Sequence, residues 1–167
     1  MLEILQKRQS VRKFTGAPVK KSDVKKILEA GVRAPSGKNG QPWRFAVIQD
    51  DKELLRQVAA YTIYEDFVRR ADCLLCVFMD KTQSYHYIKD CQAIGACIQN
   101  MLLEAADIGL GACWIGEILN ADGAVKQLLC VDNRYDLMAV IAVGVPSGEN
   151  VRLTPRKPLE ECVLFYR

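Results

Sequence analysis

Several short stretches of this 167-residue chain carry side chains able to grip a ligand. The first is Arg8-Gln9-Ser10-Val11-Arg12-Lys13-Phe14, where Arg8, Ser10 and Arg12 share one side if the backbone is extended. Two planar guanidinium forks flanking a hydroxyl suit a phosphate or a sugar chain. The same pattern also describes a basic, solvated turn. The second stretch is Ala34–Phe45 (APSGKNGQPWRF), where Pro35 and Pro42 bracket Ser36, Gly37, Lys38, Asn39 and Gln41. Prolines stiffen its two ends and the glycines let it turn, so its amides and hydroxyl are held in place at low entropic cost. That is the composition of a ligand loop, although a polar connector capped by a core tryptophan would read alike. The third is Gly109-Leu110-Gly111-Ala112-Cys113-Trp114-Ile115-Gly116-Glu117. It follows a helical pattern rather than a strand and has no Gly-Lys-Ser or Gly-Lys-Thr. It is therefore neither a dinucleotide fingerprint nor a phosphate-binding P-loop. Its glycines would admit a flat ligand close to backbone N–H groups, or simply stop a helix and start a strand. Near the end, Arg152, Arg156 and Lys157 form a second basic cluster that could converge with the first on one anion.

Composition narrows the function classes. Half the residues are hydrophobic and the net charge is only +3, so nothing calls for nucleic acid as a partner. No stretch is long and apolar enough to span a bilayer. The opening MLEILQKRQS lacks the apolar core of a signal peptide. The seven cysteines sit mostly in apolar runs, which reads as reduced, buried thiols and a cytoplasmic location. Cys73 and Cys76 have two-residue spacing, but a strand would turn them to opposite faces, and no second pair or nearby histidine completes a metal site. The lone histidine, His86, lies outside every motif and reads as a surface or cap residue.

The elements that must position these residues follow from apolar periodicity. A short helix covers Leu2–Lys7. Ser22 or Asp23 caps a helix reaching about Arg33, with Val24, Ile27 and Leu28 on one face. Arg44–Gln49 is a strand. Asp50-Asp51 caps a helix that buries Leu54, Leu55 and Val58, and Tyr61–Arg70 continues as helix. Cys73–Met79 is an uncharged central strand, covered on both faces. A long helix from Tyr87 to Asp107 is apolar nearly all round, which predicts that a second subunit covers what one small domain cannot. Gly95, Ala96 and Cys97 would permit close helix approach. Asn120 or Asp122 caps a further helix, Leu137–Val143 is a second buried strand, and Val163–Tyr166 adds a strand or clasps a neighbour. The order predicts one α+β domain over residues 1–167 with a central mixed or antiparallel sheet flanked by helices.

Taken together, Arg8-x-Ser10-x-Arg12-x-Phe14, Ala34-Pro35-Ser36-Gly37-x-Asn39-x-Gln41-Pro42-Trp43, Gly109-Leu110-Gly111-x-Cys113-Trp114-Ile115-Gly116 and Arg156-Lys157-Pro158-Leu159-Glu160-Glu161 resemble the nitroreductase-like flavoproteins over nearly the full length. The resemblance implies an intertwined homodimer holding FMN in its interface. Arg8, Gln9, Ser10 and Arg12 would contact the phosphate, ribityl chain and pyrimidine edge, with Arg156 and Lys157 completing the phosphate site. Pro35, Ser36, Gly37, Asn39 and Gln41 would reach the flavin, partly from the partner subunit. Backbone groups of Ile115, Gly116 and Glu117 would lie near the reactive flavin nitrogen. The activity implied is ping-pong transfer from NAD(P)H to nitroaromatics, quinones or flavins, with no catalytic acid–base side chain. Two other readings are a flavin-binding module that does not turn over and a reductase specialised for another activated ring. The chain departs from the family in lacking a lid insertion between the central strand and the long helix. It also carries Glu117 where many relatives have a small residue.

Overall fold

The computed structural model describes residues 2–148 and 155–167. Its centre is a four-stranded antiparallel sheet in the order β1-β2-β4-β3, built from β1 (Trp43–Ile48), β2 (Cys73–Asp80), β3 (Gly111–Ile115) and β4 (Tyr135–Gly144). The "mixed or antiparallel" expectation thus resolves to antiparallel. The parallel contact is an isolated bridge, Ser10 to Ala112.

β2 shows why the sheet is covered on both sides: every one of its residues is buried. Cys73, Leu75, Val77 and Met79 face one cluster, and Leu74, Cys76 and Phe78 face the other. The two-residue period of a strand therefore feeds two separate cores. Cys73 and Cys76 end up on opposite faces, each with its thiol pushed up to about 12 by burial. The first core is closed by helices α2 (Lys21–Gly31) and α5 (Tyr87–Asp107), through Val24 and Ile27 on one and Ile94, Cys97, Ile98 and Met101 on the other. The second is closed by α3 (Lys52–Ala59), the single turn α4 (Glu65–Val68) and α6 (Asp122–Leu128), through Leu55, Val58, Val68 and Val125. Each such aliphatic side chain contributes about 1.5–3 kcal/mol on burial. The short helix α1 (Leu2–Lys7) packs against α5.

Several local expectations are corrected. Neither Ser22 nor Asp23 caps α2, which starts at Lys21; Asp23 pairs with Lys26 at 2.9 Å instead. Asp51 does cap α3, its carboxylate accepting from the Leu54 N–H at 2.9 Å. Asp122 lies inside α6 rather than capping it, accepting from the Leu137 N–H at 2.9 Å and pairing with Lys126 at 2.7 Å. Tyr61–Arg70 is helical only over Glu65–Val68. β-Branched and aromatic residues at 61–64 favour helix weakly, and a long-range tether described below competes for their backbone. α5 has the expected limits, but only one of its faces is buried; Tyr87 and Ile88 are exposed, and Gly95 and Ala96 are partly so. A Cβ on Gly95 would meet nothing, whereas Cys97 faces the core against Gly31 and so takes no part in that open stripe. Residues 163–166 form no strand, and Leu164, Phe165 and Tyr166 are exposed.

Candidate active site

The N-terminal segment Arg8–Phe14 lies as a strap across the β3 edge. The Val11 N–H donates to the Ala112 carbonyl at 3.0 Å, and Phe14 bridges Pro146. Two missing side chains seat it. A Cβ on Gly111 would overlap Val11, and one on Gly144 would come within 2.8 Å of the Phe14 ring. Val11 and Phe14 are thereby buried, and the alternation of an extended chain turns their neighbours outward. Gln9 and Val11 line a cavity of about 270 Å³ together with Leu102 and Leu110, while Arg8, Ser10 and Arg12 are not among its walls. Gln9 therefore faces away from the other three. The Arg12 guanidinium reaches the Ser10 carbonyl at 3.5 Å. Beneath them lies the buried thiol of Cys113. Burial pushes it up, and the charge of Arg12 and a hydrogen bond with Ser10 offset part of that rise.

The glycines of the third motif divide their work. Gly109 ends α5 with φ +78°, a conformation that favours glycine, so it is a helix stop. Gly111 serves the strap. Gly116 leaves open backbone at the end of β3; the nearest atom to a Cβ there would be Trp114 Nε1, at 3.9 Å. Ile115 is buried and so presents only its backbone. Glu117 opens the 3₁₀ turn Glu117–Ala121, but its carboxylate reaches away from it, accepting from the Thr62 hydroxyl at 2.7 Å and the Ile63 N–H at 3.1 Å. Asn120 donates to the other oxygen at 3.3 Å. The Thr62 and Ile63 hydrogen bonds hold the carboxyl below the usual glutamate range.

The amide loop stands at the start of β1. Lys38, Asn39 and Gln41 all adopt positive φ, at 54°, 55° and 47°. Strain of this kind concentrates at functional sites. The loop sustains it with its own groups: the Gln41 N–H donates to Ser36 Oγ at 3.0 Å, and the Gln41 amide donates to the Asn39 carbonyl at 3.2 Å. Its exit is fixed by the Asp80 N–H on the Pro42 carbonyl at 2.8 Å and by Arg44, which bonds the Gln41 carbonyl and pairs with Asp80 at 3.2 Å. Tyr85 lies over Gly37, where any Cβ would overlap its ring, and Lys38 stacks on the same ring at 4.9 Å. Sequence reading missed Tyr85, Thr62 and the seating roles of Val11 and Phe14. Phe14 stood in a quoted motif, but nothing in the sequence paired it with Gly144. His86 is exposed at the N-cap position of α5 and makes no capping bond with its side chain; the buried Asp90 carboxylate accepts from the Ser84 hydroxyl and the Tyr85 and His86 N–H groups.

The two groups do not meet within one protomer. β1 and β3 are the opposite edges of the sheet, three strand spacings or about 14 Å apart. Arg8, Ser10, Arg12 and Ile115–Glu117 sit at the β3 edge, and Pro35–Gln41 sits at the β1 edge. Arg156 and Lys157 are exposed on the terminal segment, and Arg152 lies outside the described residues.

Comparison with known proteins decides the family. The model of the nitroreductase family matches residues 5–65 and 56–145. The chain belongs to the nitroreductase family. A crystal structure from Desulfovibrio desulfuricans, described provisionally as a nitroreductase in complex with FMN, superposes with a TM-score of 0.94 at 41% identity, covering 99% of this chain and 96% of that one. An NADH dehydrogenase from Thermus thermophilus is 38% identical over 95% of this chain and 92% of its own length. An Archaeoglobus fulgidus protein, provisionally an NADH dehydrogenase/NAD(P)H nitroreductase, is 29% identical over 89% of this chain and 86% of its own. The α+β architecture is thus the nitroreductase fold, and the chain is a member of an oxidoreductase family. No helix among the described residues is long and apolar enough to cross a membrane.

Proposed function

We propose that this nitroreductase-family chain is a single-domain, cytoplasmic, FMN-dependent oxidoreductase. It works as an intertwined homodimer and uses NAD(P)H to reduce nitroaromatics, quinones or similar acceptors by ping-pong exchange. The observation that carries this reading is the separation of its two ligand-gripping groups to opposite edges of one sheet. A flat phosphorylated ligand can be held by both only if a second copy brings its loop to the first copy's strap. The half-exposed stripe of α5 at Ile88, Gly95 and Ala96 supplies a surface for that copy, and a chain of this size leaves it uncovered alone.

The residues present fit FMN. Arg8 and Arg12 offer charged forks to a dianionic phosphate, with Arg156 and Lys157 joining from the terminal segment. Ser10 offers a hydroxyl to the ribityl chain. Gly116 keeps backbone accessible where a flat ring would approach, flanked by the backbone of Ile115 and Glu117. Pro35, Ser36, Gly37, Asn39 and Gln41 of the second copy present a pre-shaped loop, with Asn39 and Gln41 already held at positive φ, so ordering costs are met before binding. Gln9, expected with them, lines the cavity on the strap's other side and would reach the ligand only through its backbone. When bound, FMN would supply the redox chemistry, taking hydride from the nicotinamide and passing electrons to the acceptor. The protein's share is to bind, to orient and to place a cation near the pyrimidine edge, a role for Arg12 or Arg8.

The test is the visible spectrum of protein reconstituted with FMN. We expect a yellow dimer that NADH or NADPH bleaches without oxygen and an acceptor restores, with parallel double-reciprocal lines at steady state. A yellow protein that neither nicotinamide reduces would make it a binding module. A colourless monomer after incubation with FMN would end the proposal.

A further inference from the structure

Glu117 spends its carboxylate in an unusual place. The residue before its 3₁₀ turn is Gly116, which has no side chain to cap it, and the Glu117 carboxylate is used elsewhere. Its Oε2 instead accepts from Thr62 and Ile63, 55 and 54 positions away in sequence. The segment so held is otherwise anchored by local backbone bonds, with Tyr61 and Thr62 donating to the Val58 and Ala59 carbonyls at 3.1 and 3.3 Å. Thr62 and Val68 are buried, while Tyr61, Ile63 and Tyr64 are exposed, Ile63 to 77%. The Thr62 hydroxyl also accepts from the Tyr64 N–H at 3.3 Å, so the hydroxyl and the Ile63 N–H together link the carboxylate to the turn. Large apolar side chains in water are costly to hold ordered, and a charge-assisted tether that orders them adjoins Gly116, where the backbone is open.

We propose that Glu117 is a positioning residue. Acting through Thr62 and Ile63, it sets the Tyr61–Tyr64 segment as an apolar wall beside Gly116 that selects flat aromatic acceptors over small hydrophilic ones. This rests on the flavin reading above. The Glu117 carboxylate touches neither acceptor nor reacting atom; the wall meets the acceptor, through Tyr61, Ile63 and Tyr64.

The experiment uses the FMN-loaded protein, reduced with dithionite and freed of excess, so that it is independent of any nicotinamide. Reoxidation is followed by stopped flow with two acceptors. A 1,4-naphthoquinone takes two electrons and two protons to the hydroquinone. Ferricyanide takes one electron per ion, two ions per flavin, and needs no apolar wall. We expect Thr62→Val to raise the half-saturating naphthoquinone concentration about ten-fold, leaving its limiting rate and the ferricyanide rate as in wild type. Chymotrypsin should also nick the variant faster after Tyr61 or Tyr64. Glu117→Gln should reproduce the naphthoquinone effect, and the double variant should add little to either single one, because both weaken one tether. Naphthoquinone saturation within two-fold of wild type in both single variants overturns the inference. So does an equal loss with both acceptors, which marks a merely structural role. A wild type that binds no FMN overturns the underlying reading instead, and a wild type that reoxidises normally while the variants match it overturns this inference alone.

Discussion

The two edges of the sheet solve one problem by different means. At the β3 edge, the cationic strap is held by packing: Gly111 and Gly144 give up their side chains so that Val11 and Phe14 can lie flat. At the β1 edge, the amide loop is held by local strain: Lys38, Asn39 and Gln41 sit at positive φ, pinned by Ser36, Arg44 and the Tyr85 ring. Packing fixes a segment against the body of the molecule and suits charges that must not move. Strain pre-shapes a segment that faces outward, toward something the same protomer does not supply. On the proposed reading, the contrast is that of two halves of one site.

Mixing two defective chains breaks or sustains that contrast most sharply. A variant with Arg8 and Arg12 changed to Ala should bind no FMN, nor should one with Asn39 and Gln41 changed to Ala. Unfolded and refolded together in equal amounts, they should regain about a quarter of the wild-type flavin content, since half the dimers are mixed and each has one intact site. Zero recovery, measured by absorbance per protomer, would mean that both halves serve the same protomer.

The packed edge is next. Gly111→Ala forces its Cβ into the stiff, β-branched Val11. Overpacking of this kind costs about 1–3 kcal/mol. It should also weaken FMN by about ten-fold, because the displaced strap carries Arg8 and Arg12. Fluorescence titration and thermal melts read the two effects. Gly123→Ala in α6, where a Cβ meets nothing, should be neutral or slightly stabilising and serves as the control.

Acid probes how the elements behind the edges are tied. Asp72 accepts from the Val19 N–H at 2.8 Å and pairs with Lys52 at 2.6 Å, while Gln49 donates to it as well. Burial pulls its pKa up, but those donors outweigh burial and leave it lowered. A carboxyl with a depressed folded pKa contributes stability that is present above its unfolded value. That stability is lost as pH falls through the folded one. Stability should therefore drop below about pH 4, the ordinary aspartate value, and the drop should be shallower in Asp72→Asn. Denaturant midpoints across that range test it.

The strained edge should respond least. Lys38→Gly removes the left-handed penalty but loosens the unfolded chain, for a net gain of at most about 1 kcal/mol. If strain pre-shapes the loop, FMN affinity should fall even as the melting temperature holds or rises.

Much of this was legible from residues alone. Cys73–Met79 suited a strand covered on both faces, because an uncharged apolar run gains by burial on either side. The limits of α5 followed from its long, largely apolar pattern, and the motifs carried the family. Side-chain chemistry and period are local properties, so local sequence determines them. Only the tertiary structure decided that Gly111 makes room for Val11, that Asp122 ties its helix to β4, that Glu117 reaches Thr62, and that strap and loop stand at opposite edges. These depend on which residues distant in the chain come within a few ångströms of one another. That is fixed by strand order and by which face each helix covers, and no spacing in the sequence encodes either.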